Sequence, residues 1–193
     1  MTADTSAQTA AIIDLTRRWI DDMVVGLNLC PFARRVVVQE RIRYVVCAAT
    51  QAEAVLDTVV DELVYLEQSP RQMVETTLII HPYALTDFVA YNDFLQDIEE
   101  VLAEMELGGT LQVASFHPQY QFADTAVEDP ANYSNRSPYP MLHLLREASI
   151  AEVAHHEEEL AAIPQRNVEL LRSLGSRAVL QRLRQLAELA HWP

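Results

Sequence analysis

Short apolar runs alternate with amphipathic segments of helix length through the middle of this 193-residue chain. Three runs are rich in β-branched and aromatic residues, which favours strands, and two segments carry apolar residues at three- and four-residue spacing, which is typical of helices. Strands that alternate with helices of this length form βαβ units. The pattern predicts an α/β fold with a small, largely parallel sheet of three to four strands from two βαβ units and helices packed on it; an α+β arrangement is the alternative. In order, the five segments are 42–47, 51–68, 76–81, 86–107 and 111–116.

Further helices are predicted on both sides of this unit. Residues 8–27 have helical spacing, and a helix is predicted from Ser137, a suitable N-cap followed by Pro138, through residue 155. Residues 156–193 form a predicted helical tail that either packs on the sheet or offers a homodimer face. Residues 1–7 are small and polar, and we expect them to be disordered. The length suits one α/β domain over 1–193.

The net charge is −14, from 28 acidic residues and 14 basic residues that are all arginine. Such a surface repels phosphate backbones and anionic lipids, so we expect neither nucleic acid nor a membrane as a partner. Without lysine there is no Schiff-base chemistry, but arginine remains available to bind an anion. No secretory signal and no apolar stretch of about 18 residues is visible, which predicts a cytoplasmic protein with reduced Cys30 and Cys47.

Two of the predicted strands end in the same dipeptide, His81-Pro82 and His117-Pro118. If the strands are parallel, both imidazoles emerge at the carboxyl edge of the sheet, where open α/β folds bind ligands. Imidazole can act there as a general base or as a ligand to a divalent metal, so His81 and His117 are candidate catalytic and metal-binding residues. In the alternative, each histidine caps its strand by bonding loop backbone, and proline ends the ladder.

Cys30 is a third candidate catalytic residue. A thiol beside a helix start or a histidine can become a nucleophile, a redox group or a soft metal ligand. Because Leu29 and Phe32 flank it, a buried apolar role is the alternative. The sequence has no CxxC, no paired-histidine helix motif and no glycine-rich phosphate loop, so no strong metal or nucleotide motif supports the choice.

The polar loop after His117 supplies candidate ligand-binding side chains. Arg136 stands one residue before the predicted N-cap, where backbone N–H groups and the helix dipole favour an anion, so a small anionic molecule is the expected ligand. The alternatives are turn formation by Asn and Asp and a salt bridge from Arg136. His143 and Arg146 share a stripe of the predicted helix and would face the cleft. The loop candidates are Tyr120, Asp124, Asn132, Tyr133, Asn135 and Arg136.

Three motifs, NLCPFA at 28–33, FHPxYQF at 116–122 and NYxNRSPYP at 132–140, resemble an uncharacterised bacterial family known only as a domain of unknown function. The likeness runs from about Trp19 to Ser149. The resemblance implies a shared small α/β fold, and it transfers no activity, cofactor or catalytic residue.

These observations favour a small cytosolic enzyme or ligand-binding protein with a His-lined cleft at the carboxyl edge of the sheet. A divalent metal is the candidate cofactor, held by His81 and His117. One alternative is a non-catalytic protein-interaction module in which the polar loop is an ordered plug. The other is redox or nucleophilic activity of Cys30.

Overall fold

The computed structural model describes residues 2–153 and 157–188 and shows a four-stranded sheet with helices on both faces. The strands are β1 (Ile42–Val46), β2 (Thr76–Ile80), β3 (Leu111–Phe116) and β4 (Met141–Arg146). The α-helices are α1 (Thr2–Trp19), α2 (Ala33–Val38), α3 (Ala52–Gln68), α4 (Phe88–Glu104), α5 (Glu147–Val153), α6 (Glu157–Leu174) and α7 (Ser176–Glu188). A π-helix (Ile20–Val25) continues α1, and a 3-10 helix (Pro130–Ser134) precedes β4.

The sheet has the strand order β1-β2-β4-β3. β1 and β2 are parallel, whereas β4 is antiparallel to both of its neighbours. The predicted α/β class is therefore confirmed, but the prediction of a largely parallel sheet is wrong, since β4 runs back between β2 and β3. The first βαβ unit, β1-α3-β2, has adjacent strands, and the second, β2-α4-β3, is split by β4. β1, β2 and β3 still share one direction.

The helix predicted from Ser137 through residue 155 is wrong over its first half. Met141–Arg146 forms β4, and α5 begins only at Glu147. The MLHLLR run pairs with strands on both sides, and these two ladders satisfy its backbone in a way that sequence-local spacing does not reveal. Ser137 does not cap a helix, because its hydroxyl donates to the carbonyl oxygen of Tyr139 at 2.6 Å. The predicted end of this helix, at 155, lies outside the described residues.

Both ends of the chain are helical in the described residues. α1 begins at Thr2, and the disorder expected over 1–7 stays a prediction. The predicted C-terminal helices are present as α6 and α7, with Gly175 between them in a left-handed conformation (φ 77°). α6 continues across Pro164. Residue 1, residues 154–156 and the end of the predicted tail at 189–193 lie outside the described residues.

Two apolar cores lie on opposite faces of the sheet. The first core packs α3 and α4 on one face, with Val59, Leu63 and Tyr91 fully buried. The second core packs α1, the π-helix, α6 and α7 on the other face, with Trp19 and Leu171 nearly inaccessible. The C-terminal helices thus complete a core. No helix among residues 2–153 and 157–188 has the length and apolar character needed to span a membrane.

Candidate functional site

His81 and His117 lie together at the carboxyl edge of the sheet. Each directly follows a strand, β2 or β3, and these strands point the same way. Both imidazoles are fully buried, and Tyr91 of α4 lies between them. Its ring centroid is 5.8 Å from that of His81 and 5.0 Å from that of His117. The split βαβ unit therefore brings the two histidines together, even though β4 separates their strands.

Both imidazoles hold the loop 82–87, which connects β2 to α4. His81 donates from Nδ1 to the carbonyl oxygen of Ala84 at 3.1 Å. His117 donates from Nε2 to the carbonyl oxygen of Leu85 at 3.2 Å. Leu85 has a left-handed backbone (φ 54°), which is uncommon for a residue with a branched apolar side chain. Two adjacent carbonyls of one loop are thus fixed by the two strand ends.

The second nitrogens of the two rings differ. Nδ1 of His117 accepts a hydrogen bond from the backbone N–H of Gln119 at 3.0 Å, so both nitrogens of this ring have partners. Nε2 of His81 is buried and has no partner among the described residues. Because Nδ1 of His81 carries the donated proton, Nε2 presents a lone pair. Burial, helped by nearby His117, lowers the pKa of His81 to about 4, so the ring is neutral at pH 7.

A row of aromatic rings connects the buried histidines to the surface. The ring centroid of Phe88 lies 5.3 Å from those of both His117 and Tyr120, and the ring centroid of Tyr120 lies 5.0 Å from that of Phe122. Phe88 and Tyr91 were missed as site residues by sequence reasoning. The signal was available, since both occupy the apolar stripe of α4 in its first turns, next to the strand ends.

Tyr91 also ties the site to the sheet. Its hydroxyl donates to the carbonyl oxygen of Met141 at 2.7 Å and accepts from the backbone N–H of Phe116 at 3.1 Å. It therefore bridges β4 and β3 where both reach the site, and burial raises the pKa of its hydroxyl. The Tyr91 phenol is consequently held in place, stays neutral and separates the two imidazoles.

We expect acid to destabilise the protein through His81. Its pKa is about 4 when folded and 6.5 when unfolded, so the unfolded chain binds the proton more readily. Stability is complete above pH 6.5 and is lost as the pH falls towards 4. With 1.36 kcal/mol per pKa unit, His81 alone accounts for about 3 kcal/mol at pH 4. Urea unfolding from pH 7.5 to 4.5 measures this loss.

A His81→Phe variant provides the control for this pH dependence. Phe keeps a ring beside Tyr91 but cannot titrate, so the free energy of unfolding should fall less steeply below pH 6.5 than in the wild type. His143, whose pKa burial also lowers to about 4, acts in the same direction in both proteins. The loss of about 3 kcal/mol is assigned to His81, since the His143 side chain retains some accessible surface. Parallel pH curves for the two proteins would contradict the assignment.

Cys30 lies elsewhere, in the segment between the π-helix and α2 and near Arg166 of α6. Its neighbours include Phe32, Ala33 and Arg166. Burial raises the pKa of the thiol, and the Phe32 and Ala33 backbone groups and Arg166 only partly oppose this, so the thiol stays protonated at neutral pH. This environment is typical of an unreactive, half-buried cysteine. Among the described residues, no three His, Cys, Asp or Glu side chains lie close enough together to hold a metal ion.

Arg136 holds the polar loop together. Its Nε donates to the carbonyl oxygen of Tyr120 at 3.0 Å, and an Nη donates to that of Val127 at 2.7 Å. The guanidinium also lies 4.5 Å from the ring centroid of Tyr133, which is buried in the second core. Arg136 does not stand before a helix start, because residues 141–146 are a strand, so the basis for the predicted anion site at this position is absent.

Asn132 and Asn135 also serve the loop. The fully buried Asn132 accepts the backbone N–H of Phe122 at 3.0 Å and donates to the carbonyl oxygen of Ala126 at 2.9 Å. Asn135 donates to the carbonyl oxygen of Ser115 at 3.1 Å, which ties the loop to β3. Asp124 is exposed and occupies a left-handed turn position (φ 61°). The loop is consequently held in order by a hydrogen-bond network of its own.

His143 and Arg146 lie on β4 and not on a helix. His143 is opposite Leu78 and therefore faces the second core, away from His81; its Nε2 lies 2.6 Å from the hydroxyl oxygen of Thr76. Arg146 is the last residue of β4 and pairs with Leu111, at the end of the sheet away from the two histidines. One Nη lies within hydrogen-bond distance of three carbonyl oxygens around the α3–β2 connection, those of Leu66, Ser69 and Val74. Neither residue joins the histidine site.

A family model described as "Protein of unknown function (DUF1415)" matches residues 11–181. The match spans β1 to β4, the whole polar loop, all of α6 and the start of α7. No curated protein and no solved structure matches the chain.

Proposed function

We propose that this chain, which belongs to the family of proteins of unknown function DUF1415, binds a small molecule at the sheet edge where His81 and His117 meet. One observation carries the proposal. Nε2 of His81 is a buried hydrogen-bond acceptor without a partner among the described residues, and the bond from Nδ1 to Ala84 fixes its ring. A buried polar group without a partner costs free energy, and such groups concentrate at functional sites.

The chemistry of this nitrogen defines the ligand class. The pKa of about 4 keeps the ring neutral, so His81 offers a lone pair to a hydroxyl, amide or other N–H donor. A neutral ring does not attract an anion, and Arg136 is engaged by carbonyl oxygens. A base with a pKa so far below 7 is also a weak proton acceptor. The site therefore supports binding and orientation of a donor-bearing molecule more than proton abstraction.

Access to the nitrogen requires the loop 82–87 to move, because both imidazoles are fully buried. Tyr83 in this loop is 42% exposed. The backbone of Leu85 is left-handed, and its carbonyl oxygen accepts the hydrogen bond from His117. Two imidazole–carbonyl hydrogen bonds thus oppose opening, and each is worth about 1 kcal/mol net. Ligand binding would replace them with contacts to the ligand.

A second candidate function is a non-catalytic interaction module. The observation in its favour is the polar loop, in which Asn132, Asn135 and Arg136 bond carbonyls of the protein's own backbone. In that reading the two histidines are structural clamps on the loop 82–87. The two candidates differ in whether Nε2 of His81 ever meets a ligand.

Nitrogen NMR of the imidazoles tests the proposal directly. Protein purified without a His-tag and labelled with ¹⁵N-histidine would be titrated with Zn²⁺ and with a library of small hydroxyl and amide compounds. We expect a binder to shift the Nε2 resonance of His81 and to raise the melting temperature. His81→Phe should abolish both effects, whereas His143→Phe, which alters an imidazole on the opposite face, should retain the binding.

Two results would contradict the proposal. One is a His81 Nε2 resonance that no probe moves although other resonances respond. The other is equal thermal stabilisation of the wild type and His81→Phe by the same compound. Either result would leave the interaction module as the better reading.

A further inference from the structure

An open cleft runs between α1 and β1 at one edge of the sheet. β1 has β2 on one side and, among the described residues, no strand on the other. Two cavities of about 350 and 450 Å³ lie along this cleft and share the walls Arg17, Ile42 and Tyr44. Volumes of this size are typical of small-molecule sites.

The two cavities differ in charge. The smaller has apolar walls from Ile13, Met73 and Val74, and its only charged lining residues are Arg17 and Arg43. The larger adds two carboxylates, Asp21 and Glu40. An anion is therefore favoured in the smaller cavity and disfavoured in the larger one.

Arg17 is the cation available to a ligand in the smaller cavity. Arg43 is already engaged by both carboxylate oxygens of Glu62, at 2.7 and 2.9 Å. The Arg17 side chain is exposed, its guanidinium lies 4.9 Å from the ring centroid of Tyr44, and no carboxylate among the described residues pairs with it. A guanidinium held over an aromatic face presents its planar edge to an incoming carboxylate.

We propose that this cavity binds a small amphipathic carboxylate. The carboxylate pairs with Arg17, and the apolar part of the ligand lies against Ile13, Met73 and Val74. The acidic pair Asp21 and Glu40 keeps the charged end out of the neighbouring cavity. The net charge of −14 repels polyanions, so a singly charged ligand fits better than a nucleic acid or a polyphosphate. This site is separate from the histidine site and does not depend on the function proposed there.

Octanoate serves as the probe, with octanamide as its uncharged match. In protein labelled at the methionine methyl groups with ¹³C, we expect octanoate below its micelle concentration to shift the Met73 signal saturably. Met105, which packs against the first core, should not respond. Octanamide should bind at least about tenfold more weakly, since a charge-assisted pair contributes this much or more.

Arg17→Met should weaken octanoate binding about tenfold or more, while Arg17→Lys, which keeps the charge but loses the bidentate edge, should be intermediate. Arg18→Met is the matched control, because Arg18 is the next residue of α1 and pairs with Asp14 at 2.7 Å. It should bind octanoate like the wild type. Both arginines lie at the surface of α1, so the variants should fold.

Three outcomes would overturn the proposal. The first is no shift of Met73 by octanoate. The second is an equal affinity for octanamide, which would mean an apolar cavity without anion recognition. The third is an equal loss of affinity in Arg17→Met and Arg18→Met, which would reflect the protein's overall charge and not a site.

Discussion

Replacing Asn132 with alanine is expected to lower the free energy of unfolding by about 3 kcal/mol or more. The side chain is fully buried and holds four partners: Oδ1 meets the N–H of Phe122 and the hydroxyl of Thr125, and Nδ2 meets the carbonyls of Ala126 and Val127. Alanine would leave the N–H of Phe122 without a partner, at about 1 to 3 kcal/mol, and would remove one of two hydrogen bonds from each of the other three groups, at about 1 kcal/mol each. Urea unfolding at pH 7.5 measures the change.

Two variants make this measurement specific. Asn132→Asp keeps the acceptor for Phe122 but turns a buried carboxylate oxygen towards the carbonyl oxygens of Ala126 and Val127, so its loss should be at least as large as that of the alanine variant. Asn92→Ala, at an exposed position of α4, should change stability by less than about 0.5 kcal/mol. A loss below about 1 kcal/mol in Asn132→Ala would show that the polar loop does not depend on this side chain.

Replacing Glu75 with glutamine is expected to cost about 3 to 5 kcal/mol. Glu75 precedes β2 and is only 3% exposed. One carboxylate oxygen lies 2.9 Å from Nε of Arg71 and the other 3.0 Å from Nη1 of Arg41. Burial raises the pKa of the carboxyl group, but the nearby Ser149 hydroxyl, the bond from Arg71 and the charges of Arg71 and Arg41 outweigh it, so the pKa is lowered. Glutamine would leave Arg41 without the carboxylate that compensates it, and Arg71 with only the exposed Glu152.

Glu152 provides a matched comparison for Glu75. It pairs with the same Arg71, at 2.5 Å, but its side chain is 58% exposed, so water compensates for its loss. Glu152→Gln should cost far less than Glu75→Gln. Chemical unfolding of the two variants in parallel decides the question, and equal losses would refute the view that burial makes the Glu75 pair important.

Helices α3 and α4 and strand β2 were predictable because their sequence spacing and their packing agree. α3 and α4 each bury one apolar stripe, and β2 is buried throughout, so period and environment give the same answer. β4 was not predictable in this way. Its MLHLLR run suits a buried helix as well as a buried strand, and only the two neighbouring strands decide between them.

The candidate site was likewise predictable only in part. The shared edge for His81 and His117 could be inferred because β2 and β3 are co-directional, and that inference survives the insertion of β4. The partners of individual nitrogens could not be inferred. Whether His117 is fully bonded, or whether Arg136 meets an anion or a carbonyl, depends on where the loop backbone lies after folding.

The position of β4 has a consequence for synthesis of the chain on the ribosome. β2 and β3 are translated well before residues 141–146, and until that segment emerges each presents an unpaired edge to the other and to neighbouring chains. The second core forms later still, because Leu171 and Val179 lie in α6 and α7, which follow β4 in the chain. Between the synthesis of β2 and that of α7, the nascent protein therefore exposes strand edges or one apolar sheet face, and in this period chaperone binding competes with aggregation.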